Sequence, residues 1–458
     1  VTEKQPIPED EILTLLAERL QGQPLTALGD FMSRAILDKD LAAGTRLPTV
    51  RAIARQLGVS PASVSVIWTQ LRERGLIQTN RRGGSFVASD RTSEFPNLDV
   101  WSTMDLAYGV PDSALQPSLA PAFAAVLEQR PRSRRNTSRK GLSAPLRDAV
   151  ERDWPFPAEA FVAVGGHNEG TMLAVEAAAP RNSLVVIEEP TSPRILSILG
   201  ILGLRSLPVR CDGEGPLPAA LSAALAQHPA AVILQPRAQI PTGRSIPADR
   251  LRELAEVLAR AEHPVVVVED DHMGPVATSP DLSVGAFYSG EILHVRGYCK
   301  SYGVDLRTCV IGGSQRLIDR VQALRVHGIS ATSEILQNAL AWLIRDPATG
   351  RVIETARRRY EARRLSLAQE LARRGLEATG QDGMLLCLKV RDEASAVLSL
   401  AQNGLVVGFG SKCFSGHGAQ SGFVRLATSL LPDSRAQIVQ LADIMASALE
   451  REGVPEPD

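Results

Sequence analysis

Cysteine is scarce in this chain: there are five in 458 residues, scattered from Cys211 to Cys413 without short paired spacings. An odd number at irregular intervals argues against a disulfide framework or a zinc site and points to a reducing compartment. Long apolar runs are also missing. No stretch approaches the roughly 20 residues needed to cross a bilayer, and residues 1–6 lack the basic-then-apolar pattern of a secretory leader. A cytoplasmic protein with no membrane partner and no metal is expected. What is present is ordinary for a globular protein, 44% hydrophobic and 22% charged. The length suits about three domain-sized units.

Excess charge is lacking as well, at a formal net −1. That balance conceals a division. Residues 25–89 hold nine basic side chains against four acidic ones, which leaves the remainder acidic. A small basic module on an acidic body is the pattern of a nucleic-acid contact. Within the module, Thr49 can cap a helix whose apolar positions Ile53, Ala54 and Leu57 recur at helical spacing. Gly58 can end it in the left-handed conformation. Ser60 then caps a second helix with Pro61 in its first turn, and Val64, Ile67, Trp68 and Leu71 make its buried stripe. Residues 80–87, with Gly83 and Gly84 at the tip, read as a two-stranded wing.

This arrangement resembles the winged helix-turn-helix of GntR-family proteins. The resemblance implies that Arg51, Ser60, Ser63, Gly83 and Gly84 meet double-stranded DNA, with Arg81 and Arg82 on the wing beside them. Pro61 and Ala62 stand where the family often has arginine and threonine. The recognition helix therefore lacks a bidentate guanine reader, which shifts specificity toward Arg51, the serines and DNA shape. Ahead of the module, residues 9–21 read as a short acidic amphipathic helix with a packing role. Residues 88–103 are polar and irregular and read as linker.

Further on, four short apolar runs, residues 184–187, 231–234, 265–268 and 292–295, are β-branched and separated by helical stretches. Such runs predict parallel strands buried on both faces, with ligands off their carboxyl ends, where Gln235, Asp270 and Lys300 lie. The segment from Gly297 to Arg307, with Lys300 at its centre, resembles the pyridoxal-phosphate (PLP) lysine segment of fold-type I aminotransferases. A GntR-like head fused to such a body is the plan of the MocR class of regulators, and the resemblance spans residues 25–450.

By that resemblance, Lys300 joins PLP as an imine, Asp270 pairs with the ring nitrogen, and Arg307 holds the phosphate with Gly166, His167 and Asn168 at a helix start. Arg425 grips an effector carboxylate. Glu269 and Asp271 are expected to be solvated neighbours. Three positions depart from the family pocket: Ser192 replaces a stacking aromatic, Ile240 an asparagine and His272 a tyrosine. Those losses weaken ring binding and control of the chemistry, so no residue is assigned a catalytic role. The expected fold is a mostly α winged helix-turn-helix plus an α/β fold-type I body with a mainly parallel sheet and a smaller α+β part. Expected boundaries are a helical extension at 1–24, the head at 25–89, a linker at 90–103 and the body at 104–458, its large part near 135–340. The expected function is a homodimeric DNA-binding regulator that senses PLP or a related small-molecule effector. The alternatives are an active aminotransferase with a DNA-binding head, or a cofactor-free regulator in which Lys300 merely pairs with Asp270. Two charge runs outside the head, residues 130–140 and the Arg-rich helix at 351–374, read as solvated faces.

Overall fold

The continuous β-branched runs become the middle of an eight-stranded sheet. In the computed structural model, residues 8–20, 26–37, 41–42, 45–73, 77–80, 84–87, 104–128, 141–326, 328, 331–416 and 422–450 are described. The chain divides into two compact units, Val1–Ser102 and Thr103–Asp458.

In the first unit, the helices Val50–Leu57 and Pro61–Glu73 carry the caps implied by their ends. Thr49 Oγ1 accepts from the Ala52 backbone N–H at 3.2 Å, and Gly58 adopts φ 65°. Ser60 Oγ accepts from the Ser63 N–H at 3.2 Å. Val64, Ile67, Trp68 and Leu71 are buried as their spacing requires. The wing strands Ile77–Asn80 and Gly84–Val87 pair antiparallel, and Arg46–Leu47 adds a third strand that the sequence did not announce. The acidic helix Glu9–Leu20 places Ile12, Leu16 and Leu20 in the same core as the helix-turn-helix. Arg81, Arg82, Gly83 and the linker at 90–103 lie outside the described residues, as does the whole 130–140 charge run.

The second unit is built on the eight-stranded sheet, ordered Ala160–Val164, Cys309–Gly313, Ile292–Gly297, Val266–Asp271, Ala231–Leu234, Leu184–Glu189, Arg205–Asp212, Gly215–Pro216. The strands grown from the four apolar runs pair in parallel. Helices such as Pro193–Leu202 and Ala248–Ala259 provide the crossovers that parallel pairing demands. Cys309–Gly313 is antiparallel to both its neighbours, which makes the sheet mixed. A five-stranded sheet in the C-terminal part takes in Met104–Leu106, which pairs in parallel with Leu405–Phe409. The loop after Ala231–Leu234 and the turn before Leu385–Lys389 approach closely at Gly243 (φ 65°), where a Cβ would stand 2.6 Å from the Asp382 carbonyl oxygen.

The helix Pro347–Ala372 corrects one expectation. Arg358 and Arg359 are exposed, but Arg363 and Arg364 are buried. Arg363 bonds Asp112 and Asp433, and Arg364 donates to the carbonyls of Gly380, Gln381 and Gly383. Their chemistry is structural: a guanidinium has enough donors to tie several loops at once. Among the described residues no helix is long and apolar enough to cross a membrane. All five cysteines are free thiols.

Candidate effector site and nucleic-acid interface

Strand alternation decides what the three acids of Val266–Asp271 do. Successive side chains point to opposite faces, so Asp270 faces one way and Glu269 and Asp271 the other. Asp270 meets the helix His167–Ala178: its Oδ1 lies 2.5 Å from His167 Nε2 and accepts from Thr171 Oγ1 at 3.0 Å. Burial raises the Asp270 pKa, but the opposing effect of His167, with His272 and Thr171, prevails and brings it down to about 2. The carboxylate is therefore charged at neutral pH. Among the described residues its Oδ2 has no partner, and it is not enclosed.

On the opposite face, Glu269 and Asp271 are fully buried, not solvated. Asp271 takes two hydrogen bonds from Arg237 at 2.9 and 2.8 Å and one from Arg296 at 2.9 Å. Glu269 accepts from Ser283 Oγ and the Val284 N–H, and His294 Nδ1 lies 2.7 Å away. The sequence reading missed this network because its members come from four separate segments. A run of three acids ending an apolar strand was the available signal: acids there must be paired or ligated.

Lys300 sits in the short helix Cys299–Tyr302, directly after the neighbouring strand Ile292–Gly297. Its Nζ is 3.5 Å from Met273 Sδ, and no ion pair joins it to Asp270. Burial, then the nearby Arg194, lowers its pKa to about 8 against the pull of Asp270 and Asp271. His272 is buried, and burial followed by the Lys300 charge takes its pKa well below the usual histidine value. Its ring centroid is 6.3 Å from that of His167. Gly166 precedes the His167–Ala178 helix at φ 132°, ψ 166°, a conformation open essentially to glycine, and no side chain caps the helix. The first-turn N–H groups of such a helix start suit an anion.

The structure thus brings Asp270, His167, His272 and Lys300 together at the strand ends, with Gly166 and the exposed Asn168 at the adjoining helix start. Arg307, exposed and left-handed at φ 41°, makes no bond to this group. Arg425 lies in the five-stranded sheet, where its Nε donates to the Phe409 carbonyl at 3.1 Å. Among the described residues it has no carboxylate partner. Gln235 is turned inward: its amide donates to Thr191 Oγ1 and accepts from the Ile240 N–H. Ser192 Oγ caps its own helix by accepting from the Arg194 N–H.

In the head, Arg51 is exposed on the first turn of Val50–Leu57, and Ser60 is exposed at the start of Pro61–Glu73. Ser63 is half-buried, with its hydroxyl 2.8 Å from that of Ser60. Gly84 opens the second wing strand. Ser60, Ser63 and Gly84 lie at the N-terminal end of the recognition helix and on the wing, parts of this motif that reach DNA, while Arg51 starts the helix before them.

Residues 27–87 match the gntR family of bacterial regulatory proteins, and residues 103–439 match aminotransferase class I and II. The chain belongs to the MocR-type regulators of the GntR family. Its body belongs to the class I and II aminotransferases. This regulator is 29% identical to the vitamin B6 salvage pathway transcriptional repressor PtsJ of Salmonella typhimurium, over 94% of its own length and 100% of the relative's. It is 27% identical to the pyridoxine biosynthesis transcriptional regulator PdxR of Corynebacterium glutamicum, over 87% and 90% of the two chains. The regulator TauR of Rhodobacter capsulatus is 24% identical over 93% and 98%. Among solved structures, the multiple substrate aminotransferase of Thermococcus profundus superposes with a TM-score of 0.69 at 17% identity, covering 78% of the regulator and 93% of that chain. That likeness carries the fold of the body alone, a fold-type I body. The regulator's role is DNA-binding transcriptional control, as in its named relatives.

Proposed function

We propose that the regulator senses PLP, or a closely related carbonyl compound, at Lys300, and that paired bodies hold two heads against the half-sites of a double-stranded DNA operator. The observation that carries the reading is a half-buried lysine amine beside a charged aspartate whose second oxygen is open, both at the ends of parallel strands. The donor set fits PLP at these points. Lys300 would attach to the carbonyl carbon with loss of water, Asp270 Oδ2 would accept from the ring nitrogen, and the helix start at Gly166, His167 and Asn168 would take the phosphate with Arg307. Bound PLP supplies an electrophilic carbon and an electron-withdrawing ring. Arg425, with no carboxylate partner among the described residues, is the anchor for an effector carboxylate.

Two contacts are missing. Ser192 offers no ring to stack and Ile240 no polar group, and together these remove a few kcal/mol of ring binding and orientation. The body therefore holds its ligand without efficient turnover. A second reading, an aminotransferase with a DNA-binding head, is favoured by Arg425, which has no carboxylate partner among the described residues, and by the fold. It requires keto acid to form when a panel of amino acids is mixed with PLP-loaded protein.

An absorbance titration of the full-length protein with PLP, run beside Lys300→Ala, tests the main reading. The expected result is a saturable visible band in the wild type that the variant lacks. Absence of the band in both overturns PLP sensing.

A further inference from the structure

The turns leading into two neighbouring strands of the large sheet carry the same dipeptide. His228-Pro229 precedes Ala231–Leu234, and His263-Pro264 precedes Val266–Asp271. These strands pair in parallel with Ala231 opposite Val266, and each histidine stands three residues before its member of that pair. Paired strands run about 4.8 Å apart, so equal offsets bring the two histidines side by side. Their ring centroids are 4.3 Å apart, with the rings inclined at 77°. Glu262 joins them from the second turn. Each of the three offers a donor atom, and these atoms lie within 4.8 Å of one another. All three residues are exposed. Among the described residues, neither imidazole nor the Glu262 carboxylate has a hydrogen-bond or ion-pair partner. The adjacent Arg260 is turned to Glu256, at 3.1 Å.

We propose that His228, Glu262 and His263 bind one divalent transition metal ion of the zinc class. Two imidazoles and a carboxylate suit such an ion and leave a position for water. A tetrahedral ion with metal–nitrogen bonds of about 2.05 Å holds its donors about 3.3 Å apart, and exposed side chains without bonds of their own can close to that spacing. The helices Pro218–Leu225 and Ala248–Ala259 both end at these turns, and helix C-termini favour a cation. By contrast, the buried donors Asp271, Asp281 and His294 are also close together, but Arg237 and Arg296 already supply the positive charge there. The expectation of no metal rested on the cysteines. Ligands joined by strand register leave no such spacing in the chain. The proposed site precedes the strands, whereas Asp270 and Lys300 lie at carboxyl ends, so metal and effector bind independently.

The test titrates Zn2+ by calorimetry into untagged full-length protein, beside His228→Ala, His263→Ala and Glu262→Gln. The wild type is expected to take up one ion per chain and to unfold at a higher temperature with Zn2+ present. Each histidine variant should bind about a hundredfold more weakly and lose that thermal gain, since even an outer-shell partner is worth about 10–100-fold. Glu262→Gln should weaken binding less. PLP titrations of all three variants should match the wild type, which separates loss of a ligand from damage to the fold. Co2+ in place of Zn2+ should give weak visible bands and no thiolate band in the near ultraviolet. A thiolate band, or Zn2+ affinity undiminished in both histidine variants, overturns the assignment, as does a wild type that takes up no Zn2+.

Discussion

At the scale of single residues, the state of the Lys300 amine governs ligand attachment. With its pKa lowered to about 8, roughly a tenth of the amine is neutral one pH unit below that value, and the neutral form dominates above it. The rate of PLP attachment should rise about tenfold per pH unit up to that midpoint and level off above it, as stopped-flow absorbance will show. The same shift bears on stability. A lysine whose folded pKa is depressed binds fewer protons in the native than in the unfolded state, so it destabilises the fold at pH values below about 8, and the penalty fades toward 10.5. Lys300→Met should therefore gain on the order of 2 kcal/mol at pH 7, and less as the pH approaches 10.5, in urea denaturation. Asp270 has the opposite sign. Its contribution is present above the ordinary 3.8 and is lost as pH falls through about 2.

At the scale of elements, the helix-turn-helix was readable because its signals are local. Thr49, Gly58, Ser60 and Pro61 mark helix ends through their own backbone preferences, and the stripe from Val64 to Leu71 follows from the helical period. Thr49→Ala should cost about 1 kcal/mol of head stability, measured by thermal unfolding. Arg51→Ala should weaken operator binding in a gel-shift titration and lower the salt dependence of log Kd by about one unit if Arg51 contacts a phosphate. Unchanged affinity and slope would remove it from the interface. The strand Val266–Asp271 was equally legible as a strand, but the fates of Glu269 and Asp271 were not. Asp271→Asn strips the anion from between Arg237 and Arg296 and should destabilise the body by about 3–5 kcal/mol in chemical denaturation.

At the scale of the whole molecule, sensing requires that the ligand bind two body conformations with different affinity, because a ligand with equal affinity for both shifts nothing. Saturating PLP should change the operator Kd of the wild type several-fold, and leave that of Lys300→Ala unchanged. An operator affinity indifferent to PLP in the wild type would sink the coupling even where PLP binds. Sedimentation of the full-length protein is expected to give a dimer, the state that matches paired half-sites.

By itself, the sequence determined the order of head and body, the helix ends, the buried strand runs and the lysine segment. Each of these is written in residues close together along the chain, through capping, period and backbone preference. Only the tertiary structure decided which acid of the Glu269-Asp270-Asp271 run faces His167, since alternation states that faces differ but not what lies on each. It also decided that Arg363 and Arg364 are buried and that the acidic N-terminal helix shares the core of the head. Those partners sit up to a hundred residues or more apart in the chain. Their meeting is set by sheet order and packing, which no local spacing encodes.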